Sequence, residues 1–202
     1  MKKIFRDYSY SIVKMFVYQF AISIFGVSVT LATTRAHIES SGFDVLTLVV
    51  SIFAVLFYLF LIYTLAWEIG SKDKVSVDVG KKRNLPHLGL LLSLFANVPN
   101  ILAALLYLIA TLIHSENMMF VVRLIASLIQ GMYFGIITAV SIPVRGTYVQ
   151  LNAVWPTFFI IVIPAMLTSW LAYFLGSKNI RILSLIMGKS EKQIDNTASP
   201  KK

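Results

Sequence analysis

Hydrophobic residues along this chain gather into five long runs that short polar stretches separate. The runs cover residues 11–32, 43–67, 88–113, 118–142 and 155–175. A helix rises about 1.5 Å per residue and the hydrocarbon layer of a bilayer is about 30 Å thick, so about 20 apolar residues are enough to cross it. The pattern therefore predicts an all-α protein, a polytopic transmembrane helical bundle with five apolar segments.

The composition argues against the main soluble classes. Of the 202 residues, 57% are hydrophobic and 13% are charged, whereas about a quarter of the residues of a soluble domain are charged. Hydrophobicity this high is incompatible with a disordered chain, and a sequence without cysteine forms no disulfide scaffold. We therefore expect a multi-pass protein of the plasma membrane, in contact with the lipid bilayer.

The polar connections leave no room for a separate soluble domain. Residues 1–188 are predicted to form a single integral membrane helical domain, and residues 189–202 a disordered basic tail. The longest connection, residues 70–85, is predicted to be a solvated loop, with a short extended piece as the alternative. Apolar residues at helical spacing within 179–188 favour a helix that lies in the headgroup region.

The third segment carries a break signal at its centre, Asn97-Val98-Pro99-Asn100. Proline removes a backbone donor and clashes with the preceding turn, and asparagine side chains can bond the groups that this frees. The segment is therefore predicted to be broken at Pro99, which gives five or six membrane helices or half-helices. Three forms remain open: a re-entrant hairpin, a first half that lies at the interface, and a kinked helix that spans the membrane.

The distribution of charge bears on this choice. The chain has 18 Lys and Arg against 9 Asp and Glu, and cytoplasmic loops are enriched in Lys and Arg. Five full crossings divide the basic residues almost evenly, whereas a third segment that does not cross leaves only Arg35 and Arg145 outside. This favours a cytoplasmic C-terminus. Because no basic stripe is interleaved with aromatic residues, we expect no nucleic-acid partner.

Small residues recur at every fourth position of the fourth segment, at Ser127, Gly131, Gly135 and Ala139. On one continuous helix they share a face that a second helix backbone can approach closely. We predict a tight helix contact there, either within this chain or with another membrane protein or a second copy. Arg123 continues this face toward the headgroups, and its predicted role is interfacial.

The polar groups deep inside the predicted segments are neutral. Asn97 and Asn100 beside the break, together with Gln130, are candidates for a pocket at the midplane, since irregular backbone at that depth lines a cavity or is buried in protein. Trp67 and Glu68, at the end of the second segment, are predicted to lie at the membrane interface.

The sequence lacks the common motifs of catalytic and metal sites. It contains no HExxH, GxSxG, P-loop or GxGxxG motif and no cysteine nucleophile. Its three histidines stand far apart along the chain, which does not favour a shared metal ion. We expect a non-catalytic protein with no metal site and no cofactor.

Two stretches resemble segments of uncharacterised small multi-pass membrane proteins of Gram-positive bacteria. They are GLLLSLFANVPNILAALL, from Gly89 to Leu106, and WLAYFLGSKNIRIL, from Trp170 to Leu183. The resemblance implies a plasma-membrane location and no activity. Two functions remain open: an accessory subunit of a transporter or a membrane assembly, which we place first, and a small solute-binding or transport protein with a polar pocket at the midplane.

Overall fold

The computed structural model describes residues 2–36, 45–82, 85–144 and 146–180. The α-helices in these ranges are α1 (Lys2–Ala36), α2 (Val45–Asp78), α3 (Leu88–Ala96), α4 (Val98–Leu112), α5 (Glu116–Ile129), α6 (Phe134–Ala139), α7 (Thr157–Ile160) and α8 (Ile163–Ser177). Strands β1 (Ser141–Val144) and β2 (Thr147–Gln150) form an antiparallel hairpin. The predicted headgroup helix and basic tail fall almost wholly outside the described residues.

Within the described ranges, three helices are long and apolar enough to cross a membrane. They are Ile4–Ala32 within α1, the whole of α2, and Thr157–Ser177, which joins α7 and α8. Two bent pairs, α3 with α4 and α5 with α6, bring the number of candidate spans to five. The predicted all-α fold with five apolar segments is confirmed.

The break predicted in the third segment is also confirmed. Helix α3 ends at Ala96, α4 begins at Val98, and the two axes meet at 57°. Pro99 stands in the first turn of α4. A backbone N–H at this position would have no acceptor within the helix, so the N–H that proline lacks costs little stability. A bend of 57° is far from a reversal of direction, and it therefore favours the kinked form of the segment over a re-entrant hairpin.

The fourth segment differs from the continuous helix that the small-residue pattern implies. Helix α5 ends at Ile129, a 3₁₀ turn covers Gly131–Tyr133, and α6 leaves at about a right angle, 92°. The bend separates the one member of the predicted set on α5 from the three that follow it. The four residues of the predicted set therefore do not share one helical face: Ser127, Gly131, Gly135 and Ala139.

Helix α2 continues past the end of its apolar run. It is helical to Asp78, so the loop predicted for residues 70–85 is wrong for 70–78. The reason is a close contact with α8, in which Gly70 lies against the backbone of Tyr173 and Gly176 lies against the backbone of Trp67. Glycine on both helices lets the two backbones touch, and this packing stabilises the charged end of α2 as helix.

A buried polar cluster joins the ends of four helices. Asp73 Oδ2 accepts hydrogen bonds from the Tyr8 hydroxyl at 2.6 Å and the Tyr173 hydroxyl at 3.2 Å, and Lys82 Nζ lies 2.8 Å from Asp73 Oδ1. Gly89 packs on Tyr173. Four helix ends thus meet at one place: the start of α1, the end of α2, the start of α3 and the end of α8. We call this place the Asp73 end of the bundle.

The opposite end of the bundle holds the start of α2. Thr47 and Ser51, in the first two turns of α2, lie against Gly135 of α6, and the β1–β2 hairpin follows α6. We call this the Thr47 end. From there, the 21 residues of Thr157–Ser177 lead back to the Asp73 end.

In the structure the fourth segment, and not the third, turns back. Helix α3 starts at the Asp73 end, and Asn97 reaches Tyr58, which is about 22 Å along α2 from Asp73 at about 1.5 Å per residue. The 57° bend lets α4 continue away from that end, and α5 packs back along α4. The right-angle turn then sends α6 to the Thr47 end.

We predict that the glycine contact between α2 and α8 is essential for stability. Gly176→Leu would place side-chain atoms on the Trp67 carbonyl, and overpacking of this kind lowers the free energy of unfolding by about 1–3 kcal/mol. The measurement is reversible unfolding in mixed micelles. Ala21→Leu, on the exposed face of α1, is the control and should be neutral; equal tolerance of both changes would contradict the contact.

We also predict which loops share a side of the membrane. In single-cysteine variants of this cysteine-free chain, Ser115→Cys and Thr147→Cys should react with an impermeant thiol reagent from one side. Lys81→Cys and Ser177→Cys should react only from the other side, because they lie at the Asp73 end. A different result would contradict this: if positions 115 and 177 react from one side and position 147 from the other, the third segment is the one that turns back.

Candidate polar site at two helix breaks

The asparagines of the first break form a small hydrogen-bonded network. The Asn97 amide donates to the Ser93 carbonyl at 2.9 Å, and the Asn100 amide donates to Asn97 Oδ1 at 2.7 Å. Both side chains are buried, with exposed fractions of 2% and 1%. The kink between α3 and α4 therefore places two neutral amides inside the bundle.

Two serines from other helices hold the second break. Ser23 Oγ on α1 donates to the Ile129 carbonyl at 2.6 Å, and Ser51 Oγ on α2 donates to the Met132 carbonyl at 2.8 Å. In a membrane interior an unbonded backbone carbonyl costs several kcal/mol. The serines supply the donors that a continuous helix would have supplied, and so they stabilise the right-angle turn.

Glycines let α1 reach this turn. A Cβ on Gly26 would lie only 2.7 Å from the Met132 Cα, and a Cβ on Gly131 would collide with the carbonyl oxygen of Ser23. The predicted close approach at Gly131 thus occurs with α1, whereas Gly135 lies against Ser51 of α2. The two glycines of the GxxxG pair contact two different helices of the same chain.

Tyr58 lies between the two breaks. Its side chain is buried, its hydroxyl interacts with the Asn97 side chain, and Tyr133 of the second break is a close electrostatic neighbour. Gln130 also belongs to the second break, and Gln19 stands one turn before Ser23 on α1, near the middle of the Ile4–Ala32 span. We call the buried polar side chains of the two breaks, of Tyr58 and of the middle of α1 the midplane cluster: Gln19, Tyr58, Asn97, Asn100, Gln130 and Tyr133.

Five side-chain atoms of the midplane cluster are buried without a hydrogen-bond partner in the described part of the chain. They are Gln19 Nε2, Gln19 Oε1, Asn100 Oδ1, Gln130 Oε1 and the Tyr133 hydroxyl oxygen. Buried polar groups are nearly always hydrogen-bonded, and each one left unbonded costs about 1–3 kcal/mol. These atoms keep free hydrogen-bonding capacity in the interior of the described bundle.

The chemistry of the midplane cluster is neutral. Amide groups donate and accept hydrogen bonds, and phenol hydroxyls do the same. Aromatic rings bound it on one side, where Tyr107 and Phe158 meet edge to face at 5.4 Å and Gln130 Nε2 donates to the Phe158 carbonyl at 3.4 Å. Such a cluster can hold a small uncharged molecule by hydrogen bonds, and it offers no group for nucleophilic attack at neutral pH.

The structure joins the predicted pocket residues Asn97 and Asn100 by a hydrogen bond at the first break, and it places Gln130 at the second break, where its amide donates to the Phe158 carbonyl. The predicted interfacial residues lie elsewhere. The Trp67 indole N–H donates to the Ile180 carbonyl at 2.7 Å, and Glu68 forms an exposed ion pair with Lys72 at 2.6 Å. Arg123 lines a separate cavity, which is described below.

Sequence reasoning did not choose half of the midplane cluster as pocket residues, namely Gln19, Tyr58 and Tyr133. Gln19 appears in the sequence as one polar residue in an apolar run, and Tyr58 and Tyr133 look like ordinary aromatic residues of membrane helices. The one available signal was spacing, because Gln19 and Ser23 are four residues apart and therefore share a helical face. The partner helix, however, is more than 100 positions away along the chain.

Comparison with family models, curated proteins and solved structures found no match to this chain. The resemblance to small multi-pass proteins therefore stays a prediction. Among the residues that the structure describes, no group of three or more His, Asp or Glu side chains is placed to hold a metal ion.

We predict that substitutions at two residues one turn apart on α1 differ in their effect on stability. Ser23→Ala removes the bond to the Ile129 carbonyl and should lower the free energy of unfolding by about 1 kcal/mol. Gln19→Leu replaces an unbonded amide by an apolar group and should leave that free energy unchanged or raise it by about 1 kcal/mol. Both are measured by reversible denaturation without added solute; an equal loss in both variants would mean that the Gln19 amide is bonded.

Proposed function

We propose that this protein is a multi-pass membrane protein that binds, and passes across the bilayer, a small uncharged polar solute in the midplane cluster. The observation that carries the proposal is the set of buried, unpartnered amide and hydroxyl atoms on Gln19, Asn100, Gln130 and Tyr133. Such atoms are costly in an apolar surrounding, and a solute with its own donors and acceptors would pair with them.

The two helix breaks support a transport role over a purely structural one. Discontinuous helices near the midplane are a recurring feature of transporter sites, because exposed backbone and polar side chains there face the substrate path. In this chain the kink at Asn97 and the turn at Gln130–Tyr133 both contribute to the same cluster. A protein that only needed packing would satisfy its polar atoms within the protein.

The neutrality of the cluster favours an uncharged solute. An ion in a bundle interior needs a compensating charge or several aligned dipoles. Asp73 and Lys82, at one end of the bundle, are already paired with each other. Amides and polyols match the amide and hydroxyl groups that the cluster presents.

The test is solute flux into proteoliposomes, measured by stopped-flow light scattering with glycerol and with urea as probes. We expect entry of at least one probe to be faster than in protein-free vesicles. Asn100→Leu should lower the protein-dependent rate by about fivefold or more, because it removes about 1 kcal/mol or more of hydrogen bonding to the solute. Native mass spectrometry of the same preparation should show a retained small molecule.

The matched control is Ser28→Ala, which removes a hydroxyl bonded only within α1 at an exposed position. It should transport at the unaltered rate. No flux with either probe, together with no retained small molecule, would overturn the proposal. Stable co-purification of another membrane protein in that case would favour the accessory-subunit role instead.

A further inference from the structure

A second polar feature lies on the side of α5 that faces the β1–β2 hairpin. It is an open cavity of about 210 Å³, and its polar lining is Arg123, Ser127, Gln150 and Asn152. Ser127 lies one turn after Arg123 on α5, while Gln150 and Asn152 come from the end of the hairpin. None of the six side chains of the midplane cluster is among the residues that line this cavity.

Arg123 gives this cavity the chemistry of an anion site. It carries the one charge in the described lining, and its guanidinium also interacts with Tyr107 of α4. A planar guanidinium donates two parallel hydrogen bonds to a phosphate, and amide and hydroxyl groups add single donors. The side chains of Gln150 and Asn152 are placed to add donors from the opposite wall.

The rim of the cavity is apolar and faces the surrounding lipid. Phe120 and Leu124 line it and are exposed by 59% and 52%, and Leu128 continues the same exposed face one turn on. Arg123 stands about 10 Å from the start of α5 at about 1.5 Å per residue, so its long side chain reaches the headgroup level. A cation beside an exposed apolar helix face matches a molecule with a phosphate and hydrocarbon chains.

We infer that the Arg123 cavity binds the phosphate of an anionic phospholipid, whose acyl chains lie along Phe120, Leu124 and Leu128. On α5 the site lies beside the buried face of Val122 and Ala126, and its Ser127 is itself buried. A bound lipid would fix α5 against the hairpin at the Thr47 end. A net negative headgroup is favoured over a zwitterionic one, because the described lining contributes one positive charge and no negative charge.

The test is native mass spectrometry of the purified protein in detergent with dioleoylphosphatidylglycerol added. We expect one tightly held lipid per chain. Arg123→Gln should weaken that binding about tenfold or more, since it removes a charge-assisted hydrogen bond, and Arg123→Lys should restore part of it. Lys14→Gln is the control: it removes the same charge from α1, where Lys14 stacks on Tyr18, and should leave lipid binding unchanged.

Three results would overturn the inference. One is that the Arg123→Gln protein retains as much phosphatidylglycerol as the unaltered protein. An unchanged melting temperature would show that this variant is folded. Another is equal retention of dioleoylglycerol, which lacks the phosphate. The third is competition by millimolar inorganic phosphate at the same affinity, which would identify a site for a free anion and not for a lipid.

Discussion

Backbone carbonyls inside an apolar layer must be hydrogen-bonded, and two serines meet this requirement at the centre of the molecule. Ser23 and Ser51 donate to the carbonyls of Ile129 and Met132. With these bonds the chain can leave α5 at a right angle, and without them the same residues would have to continue as a helix. Three features depend on these two serines: the turn in the fourth segment, the position of α6, and the placement of Gln130 and Tyr133.

Glycine determines how closely the helices approach, and its effect differs between the two halves of the bundle. At the Asp73 end, Gly70 and Gly176 bring α2 and α8 together, so a charged stretch remains helical and Asp73 becomes buried. Near the second break, Gly26 and Gly131 bring α1 against the turn, which places the Ser23 hydroxyl within reach of its acceptor. Close approach is therefore what makes hydrogen bonds between distant parts of the chain geometrically available.

The polar groups of the bundle fall into two kinds. Those at the Asp73 end are paired with one another: Tyr8, Tyr173 and Lys82 all bond to Asp73. Those of the midplane cluster are only partly paired, although they are more deeply buried. This contrast between a paired set and a partly unpaired set is the basis of the proposed solute site.

The sequence by itself determined the number and type of the apolar segments, because a run of about 20 apolar residues has few other stable states. It also located the kink at Asn97–Pro99, since proline acts locally. Tertiary structure alone decided that the fourth segment turns back, that α2 extends to Asp78, and that Gln19, Tyr58 and Tyr133 join the cluster. Each of these depends on a donor or a glycine from a distant helix, and no local pattern encodes such a contact.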